Sequence, residues 1–124
     1  ALLVGGGSGL VPLMCMLRLA RELGRSDLVR LLVSVRSPVD LLYAAEVPGP
    51  ETTVVYTRAG APGHPRPPGR LTLADVQAAV AAVPDGATDY VCGSSGFADA
   101  ATDLLMEAGV AVDRIRVERF GATG

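Results

Sequence analysis

Short apolar segments alternate with amphipathic segments along the whole chain. The apolar segments have the length of strands and are almost continuously hydrophobic, which is typical of strands that are covered on both faces of a sheet. They predict strands at residues 1–5, 29–36, 52–58, 88–92 and 114–120. The amphipathic segments carry apolar residues at helical spacing and predict helices at residues 11–23, 38–45, 73–83 and 97–108.

Local signals set the ends of several of these helices. Ser37 has the character of an N-cap, with Pro38 and Asp40 in the first turn of a short helix. Thr72 is expected to cap the third helix in the same way. Residues 94–96 are small and predict a turn between the fourth strand and the last helix.

Alternating strands and helices predict an α/β fold, a doubly wound five-stranded parallel sheet with helices on both faces. The strand order that right-handed crossovers favour is 3-2-1-4-5. Ligands of such sheets bind beyond the carboxyl ends of the strands, where the winding direction changes. Here that place is the crevice between strands one and four.

A glycine-rich turn follows the first strand and leads directly into the first helix. Glycines allow the backbone to approach a pyrophosphate closely, and the helix start adds partial positive charge. The predicted phosphate-binding residues are Gly5, Gly6, Gly7, Ser8, Gly9, Leu10 and Pro12. Proline stands where the usual dinucleotide fingerprint has its third glycine, so a tight turn without a ligand remains the alternative. A P-loop is excluded, since no lysine follows the glycines.

The end of strand four, from Cys92 to Gly96, carries a second glycine-bearing turn that is expected to face the same crevice. Its candidate cofactor-binding residues are Cys92, Gly93 and Ser94. From the residues alone, the simplest interpretation is that Cys92 is a buried small side chain and that Gly93 belongs to a turn. Glu118, on the last strand, is expected to face solvent, and His64 has no evident role.

Composition narrows the possible functions. The 124 residues suit one domain, and a formal charge of −2 argues against nucleic-acid binding. The two cysteines form neither a metal motif nor a disulfide framework. With no apolar run long enough for a membrane span and no signal peptide, we expect a cytoplasmic protein. The chain begins without methionine at the edge of a strand, so we expect it to be the C-terminal part of something longer.

Arginines at two strand ends bear on which nucleotide is bound. NAD-preferring domains usually place an acid after strand two, whereas this chain has Ser34 and Arg36 there, and Thr57 and Arg58 end strand three. Guanidinium groups suit a 2′-phosphate. Because all eleven basic residues are arginine, solvated arginines at the strand ends are the alternative.

Taken in order, these motifs resemble the NAD(P)-binding domain of the ferredoxin–NADP reductase-like flavoprotein family over essentially the full length. The residues 5–12 are similar to its pyrophosphate turn, and Tyr90-Val91-Cys92-Gly93 to the turn that lies against the nicotinamide. Thr57-Arg58 and Gly69-Arg70 resemble its 2′-phosphate segments, and Glu118-Arg119-Phe120 its C-terminal ending.

The resemblance implies that Cys92 and Glu118 position the nicotinamide for hydride transfer and that Phe120 covers the flavin. NADP(H) is favoured over NAD(H) by Arg58 and Arg70. Residues 1–124 are then the pyridine-nucleotide domain of an NAD(P)H reductase. Its FAD-binding barrel domain is expected upstream in the same protein, and its electron acceptor is a ferredoxin, a haem or an oxygenase component.

Two other functions stay open at this point. The isolated chain could bind nucleotide without any catalytic activity, because the flavin that accepts the hydride is held mainly by another domain. A methyltransferase or an NAD-dependent dehydrogenase would need an acid after strand two and a catalytic base in the crevice, and neither is evident in the sequence.

Overall fold

The computed structural model describes residues 1–120; residues 121–124 lie outside the described part. The strands are β1 (Leu2–Gly6), β2 (Arg30–Val35), β3 (Thr52–Tyr56), β4 (Asp89–Ser94) and β5 (Ile115–Phe120). The helices are α1 (Leu10–Glu22), α2 (Leu73–Ala81) and α3 (Ser95–Glu107). Short 3₁₀ turns occur at Gly7–Gly9, Ser26–Leu28, Pro38–Asp40 and Val112–Arg114.

The five strands form one parallel sheet in the order β3-β2-β1-β4-β5, which confirms the predicted fold class and strand order. The central strand β1 pairs with β2 on one side and with β4 on the other. The winding direction therefore changes at β1, and the crevice opens beyond Gly6 at the carboxyl end of that strand.

Alternate residues of β1 contribute to two hydrophobic cores, one on each face of the sheet. Leu2 and Val4 pack into the core beneath α2 and α3. Leu3 packs into the core beneath α1, together with Cys92 of β4. Because both faces of the strand are covered, the segment has no polar position, as its sequence predicted.

The start of α2 is fixed by a reciprocal cap. The Thr72 hydroxyl accepts a hydrogen bond from the Asp75 backbone N–H at 3.3 Å, and the Asp75 carboxylate accepts one from the Thr72 N–H at 2.8 Å. The predicted cap at Thr72 is thus confirmed. It anchors the helix that follows the proline-rich segment.

The short helix predicted at residues 38–45 is wrong. The chain makes a single 3₁₀ turn at Pro38–Asp40. The Ser37 hydroxyl donates a hydrogen bond to the Asp40 carboxylate at 2.8 Å and caps no backbone N–H. Tyr43 then adopts a positive φ of 54°, which a right-handed helix cannot accommodate. Tertiary contacts hold this conformation: Arg18 of α1 lies over the Tyr43 ring and forms a salt bridge with Glu46.

The turn predicted at residues 94–96 is also wrong. Strand β4 runs to Ser94 and α3 begins at Ser95, so strand and helix meet without a connecting loop. The Ser94 hydroxyl accepts the Phe97 N–H at 3.3 Å and serves as the N-cap. No helix in residues 1–120 is long and apolar enough to cross a membrane.

Candidate functional site

A continuous groove runs along the carboxyl edge of the sheet, on the side of α2 and α3. It consists of two adjoining clefts of about 480 and 430 Å³ that share Ser34, Thr57 and Phe97. We call it the carboxyl-edge groove. Among its lining residues are Gly6, Gly7, Ser8, Ser34, Arg36, Asp40, Thr57, Arg70, Ser94 and Phe97. Most of the polar residues that the sequence predicted to bind a nucleotide are therefore brought to one surface.

The glycine turn forms one end of the groove. Gly7 has a φ of +54°, and it is exposed. Gly9 is buried against the next strand: a Cβ at this position would lie 2.0 Å from the Cys92 carbonyl oxygen. The turn can therefore reach β4 only if residue 9 is glycine. Gly5, Gly9 and Leu10 lie buried beneath the turn and shape it.

Two helices begin at this end of the groove. The α1 helix starts at Leu10 with no acidic residue in its first turn and no side chain that caps it, and α3 starts just after Ser94. The first backbone N–H groups of a helix lack partners within the helix and carry partial positive charge. The arrangement suits an anion that bridges the two turns, such as a pyrophosphate.

Three arginines at the other end of the groove have unused guanidinium groups. Within residues 1–120, the guanidinium groups of Arg36, Arg58 and Arg70 form no hydrogen bond or salt bridge, whereas those of seven of the other eight arginines do. Arg36 and Arg70 line the groove, and Thr57 lies between its two clefts. Arg58 is exposed beside it and lines neither cleft.

Asp40 places one carboxylate in the same cleft as Arg36. A carboxylate can accept hydrogen bonds from ribose hydroxyls, so this end of the groove offers both an anion-binding group and a hydroxyl acceptor. The sequence has no acid directly after strand two, and Asp40 was not among the predicted nucleotide-binding residues. The 3₁₀ turn after β2 brings Asp40 into the groove.

Phe97 was also missed, although it lines both clefts. Its ring lies directly against the backbone of Gly6, where a Cβ would come within 2.6 Å of it, and against Gly93, where a Cβ would come within 2.7 Å. Because neither glycine has a side chain, the Phe97 ring can lie between the two clefts and form a wall of each. The sequence signal that could have identified Phe97 is a pair of glycines on neighbouring strands followed by an aromatic residue.

A second pocket, of about 440 Å³, lies on the α1 side of the sheet. We call it the thiol pocket; Pro12, Leu13, Met16, Tyr90, Cys92, Arg116, Val117 and Glu118 line it. Cys92 and Glu118 are direct register partners on β4 and β5. Burial raises the pKa of the Cys92 thiol, and the negative charge of Glu118 raises it further. Glu118 thus faces this pocket at its rim.

Phe120 ends β5 opposite Ser94, and part of its ring is exposed. Gly93 is buried next to Cys92 beneath the Phe97 ring. The glycine turn and the end of β4 do meet at the predicted crevice, because Gly9 touches the Cys92 and Gly93 backbone. The pair Cys92 and Glu118, however, faces the opposite side of the sheet from Arg70.

The proline-rich segment that follows β3 is tied to the domain by two residues without a role in the sequence analysis. The His64 imidazole is 2.9 Å from the Val54 carbonyl oxygen and packs edge-on against Tyr56. Arg66 forms a salt bridge with Asp75 of α2. Within residues 1–120, no group of three histidine, cysteine or acidic side chains could hold a metal ion.

Comparisons with known proteins agree with this architecture. No protein-family model matches the chain. The flavohemoprotein of Chromobacterium violaceum is 52% identical over 54 residues, which cover 44% of this chain and 13% of that protein. The reductase component of the Rhodococcus jostii propane 2-monooxygenase is 29% identical over 126 residues, covering 94% of this chain and 34% of the relative.

Among solved structures, the flavohem-like FAD/NAD-binding domain of a Vibrio cholerae nitric oxide dioxygenase superposes with a TM-score of 0.76 at 22% identity. The match covers 97% of this chain and 50% of that one. The chain thus spans about a third of the Rhodococcus relative and half of the structural neighbour. The resemblance found in the sequence is confirmed: this chain has the fold of the NAD(P)-binding domain of ferredoxin–NADP reductase-like flavoprotein reductases, and its relatives include the reductase component of a monooxygenase.

Proposed function

We propose that this chain is the NAD(P)H-binding module of a flavin-dependent oxidoreductase and that it presents the nicotinamide to FAD. The observation that carries the proposal is the carboxyl-edge groove, where two helices start and where two arginines lie whose guanidinium groups have no partner among the described residues. The thiol pocket extends the site to the other side of the sheet switch point.

The groove holds the phosphates and the adenosine end of the nucleotide. The pyrophosphate binds the N–H groups of the turn at Gly6, Gly7 and Ser8, with the Ser94 end of α3 opposite. Gly5, Gly9 and Leu10 hold that turn in place from beneath, and Gly93 holds the neighbouring strand close. The first turn of α1 carries no acidic side chain that would compete with the anion for these N–H groups.

The other end of the groove favours NADP(H) over NAD(H). Arg36 and Arg70 line it with free guanidinium groups, and Ser34 and Thr57 add hydroxyls between them. Arg58 contributes positive charge from the rim. The Asp40 carboxylate accepts a hydrogen bond from a ribose hydroxyl, so NAD(H) binds as well, with lower affinity.

The thiol pocket receives the nicotinamide. Its apolar lining of Pro12, Met16 and Cys92 suits a flat ring, and the Glu118 carboxylate at the rim suits the ring's polar edge. The partly exposed Phe120 offers an aromatic face at the end of β5 for the flavin ring. These residues fix the orientation of the two rings and exclude water from between them.

When both are bound, the nicotinamide supplies a hydride and FAD accepts it. The FAD-binding domain belongs to the same protein upstream of this chain, and a ferredoxin, a haem or an oxygenase component receives the electrons. Support comes from relatives that are much longer than this chain and whose names include a flavohemoprotein and a monooxygenase reductase. A cytoplasmic location stays a prediction.

Titration calorimetry on the purified chain tests the binding half of the proposal. NADPH and NADH are both expected to bind, with NADPH the tighter ligand. A chain that binds neither of them would refute the proposal, and equal affinities would refute the NADP preference.

Nicotinamide absorbance separates the module from a self-sufficient enzyme. The chain alone is expected to leave NADPH unoxidised, because it lacks an acceptor for the hydride. The flavin-containing parent is expected to oxidise NADPH, and Phe120→Ala in that parent should alter the rate of the hydride step. An unchanged rate in this variant would dismiss the role of Phe120.

A further inference from the structure

Arg66 lies in the proline-rich segment, and its guanidinium group donates five hydrogen bonds within residues 1–120. Its Nε and Nη2 donate to the two carboxylate oxygens of Asp75, both at 2.9 Å. Its remaining N–H groups donate to the backbone carbonyls of Pro67, Gly69 and Arg70 at 2.9, 3.2 and 2.8 Å. The five bonds equal the donor capacity of a guanidinium group.

Residues 67–70 are therefore wrapped around one partly buried cation. The side chains of Arg66 and Asp75 are only 20% and 15% exposed, so water satisfies little of either group. Burial acts to raise the pKa of Asp75, but the hydrogen bonds from Arg66 and Thr72 outweigh it and leave this pKa lowered. The ion pair thus stays intact across neutral pH, and it connects the segment to the capped start of α2.

Arg70 is the last residue of this wrapped segment. Its carbonyl oxygen accepts a hydrogen bond from Arg66, while Arg70 itself lines the carboxyl-edge groove and its guanidinium group has no partner among the described residues. On its other side, the Gly69 N–H donates to the Tyr56 carbonyl at the end of β3, at 3.0 Å. The backbone that carries Arg70 is held from both directions.

We propose that Arg66, clamped by Asp75, is a positioning residue that sets nucleotide specificity by fixing Arg70 at the end of the groove that receives the 2′-phosphate. The inference rests on the proposed function. Arg66 itself acts on the backbone: its charge is neutralised by Asp75, and all of its donors are engaged. Lysine cannot replace it, because an ammonium group has three donors and no planar fork.

Two small ligands measure this role directly in the isolated chain. Adenosine 2′,5′-bisphosphate and 5′-AMP differ only in the 2′-phosphate, so the ratio of their affinities reports on that group alone. Arg66→Ala is expected to reduce this ratio by about tenfold, the value of one well-placed charge-assisted hydrogen bond. Arg66→Lys is expected to reduce it to a similar extent. A ratio preserved in Arg66→Lys would overturn the positioning role, since charge alone would then suffice.

Thr72→Ala is the matched control. It removes a hydroxyl from the same helix start and lowers the unfolding temperature, but it leaves all five bonds of Arg66 in place. The affinity ratio is expected to stay at the wild-type value. If it falls as far as in Arg66→Ala, general loosening of α2 explains the effect and the proposal fails.

The double variant Arg66→Ala/Arg70→Ala completes the test. If Arg66 acts through Arg70, the double variant loses no more of the ratio than Arg70→Ala alone; additive losses would overturn the proposal. The outcomes also separate the two levels of inference. Failure of the wild-type chain to bind 5′-AMP refutes the proposed function itself. An effect of Arg70→Ala without one of Arg66→Ala refutes only the positioning role.

Discussion

The carboxyl-edge groove and the thiol pocket lie on opposite sides of the same sheet edge and differ in chemistry. The groove offers backbone N–H groups, hydroxyls and unpaired guanidinium groups, all of which bind anions. The thiol pocket offers an apolar lining and one carboxylate beside a buried thiol. The same edge of the sheet thus contributes to both the groove and the pocket, because successive residues of a strand point to opposite faces. The contrast suggests a long ligand with a charged end and a neutral ring.

The contact between Gly9 and β4 joins the two regions, and breaking it should damage both. A methyl group at residue 9 would overlap the Cys92 carbonyl oxygen, 2.0 Å away. Gly9→Ala is therefore expected to cost about 3 kcal/mol in the free energy of unfolding. It should also abolish measurable NADPH binding in calorimetry.

Gly96→Ala is the control for that experiment. Gly96 lies in α3, and a Cβ there would meet no described atom within 4 Å. Urea denaturation should show equal stability or a gain of about 0.5 kcal/mol. A loss of stability as large as that of Gly9→Ala would mean that the Gly9 contact is not special.

A substitution of Asp89, at the amino end of β4, should alter the stability of the fold without affecting the carboxyl-edge groove or the thiol pocket. Asp89 is 2% exposed, and its burial raises the pKa to about 6, despite the nearby N-terminus and Arg114. Because this pKa lies above that of the unfolded chain, the stabilising contribution of the neutral acid is complete below pH of about 4 and is lost as the pH rises through about 6.

Asp89→Asn should therefore raise the free energy of unfolding at pH 8 by up to about 3 kcal/mol, with little change at acid pH. Denaturation curves across this pH range measure the effect. If the variant also changed the affinity for NADPH, the two ends of β4 would be coupled. Effects on the stability of the fold could then not be separated from effects on nucleotide binding in the groove and the pocket.

The arginines of the groove should differ from one another according to their positions. Arg36 lines the cleft, so Arg36→Ala is expected to weaken NADPH binding by about tenfold and NADH binding much less. Arg58 stands at the rim, and Arg58→Ala should produce a change in the same direction of only about twofold to threefold. Calorimetric affinities for both nucleotides decide this. Equal losses for NADPH and NADH would contradict a 2′-phosphate site.

The smallest expected effect concerns the thiol pocket. Glu118→Gln removes the negative charge beside Cys92 and should lower the pKa of its thiol, which burial still holds above the usual range. The pH profile of alkylation reports this pKa. The exposed Cys15 must first be replaced by serine so that a single thiol reacts. An unchanged profile would mean that the two side chains do not face each other.

Much of this fold could be predicted from the hydrophobic pattern. Apolar strands that alternate with amphipathic helices leave few topologies, and the predicted strand order is the one found. The errors fall where distant contacts override local preference. Ser37, Pro38 and Asp40 favour a helix, but Tyr43 ends it at once with a positive φ, held by contacts from α1.

The candidate site could be predicted only in part. The glycine turn and the small residues at the end of strand four were visible, because phosphate binding needs glycine at particular places along the chain. Phe97 and Asp40 were missed, because their places in the groove depend on how a helix and a 3₁₀ turn pack against the sheet. The assignments of residues to the nucleotide remain predictions for the experiments above.

The sequence by itself determined the alternation of strands and helices, hence the sheet and the location of the crevice. It singled out Arg36, Arg58 and Arg70 as phosphate-binding candidates, but it assigned no role to Arg66, which has the same guanidinium group. Only the tertiary structure distinguished Arg66, whose five donors are all engaged within the protein, from Arg70, whose donors are free in the groove. The physical reason is that a hydrogen-bonding group is available to a ligand only where the fold leaves it without a partner.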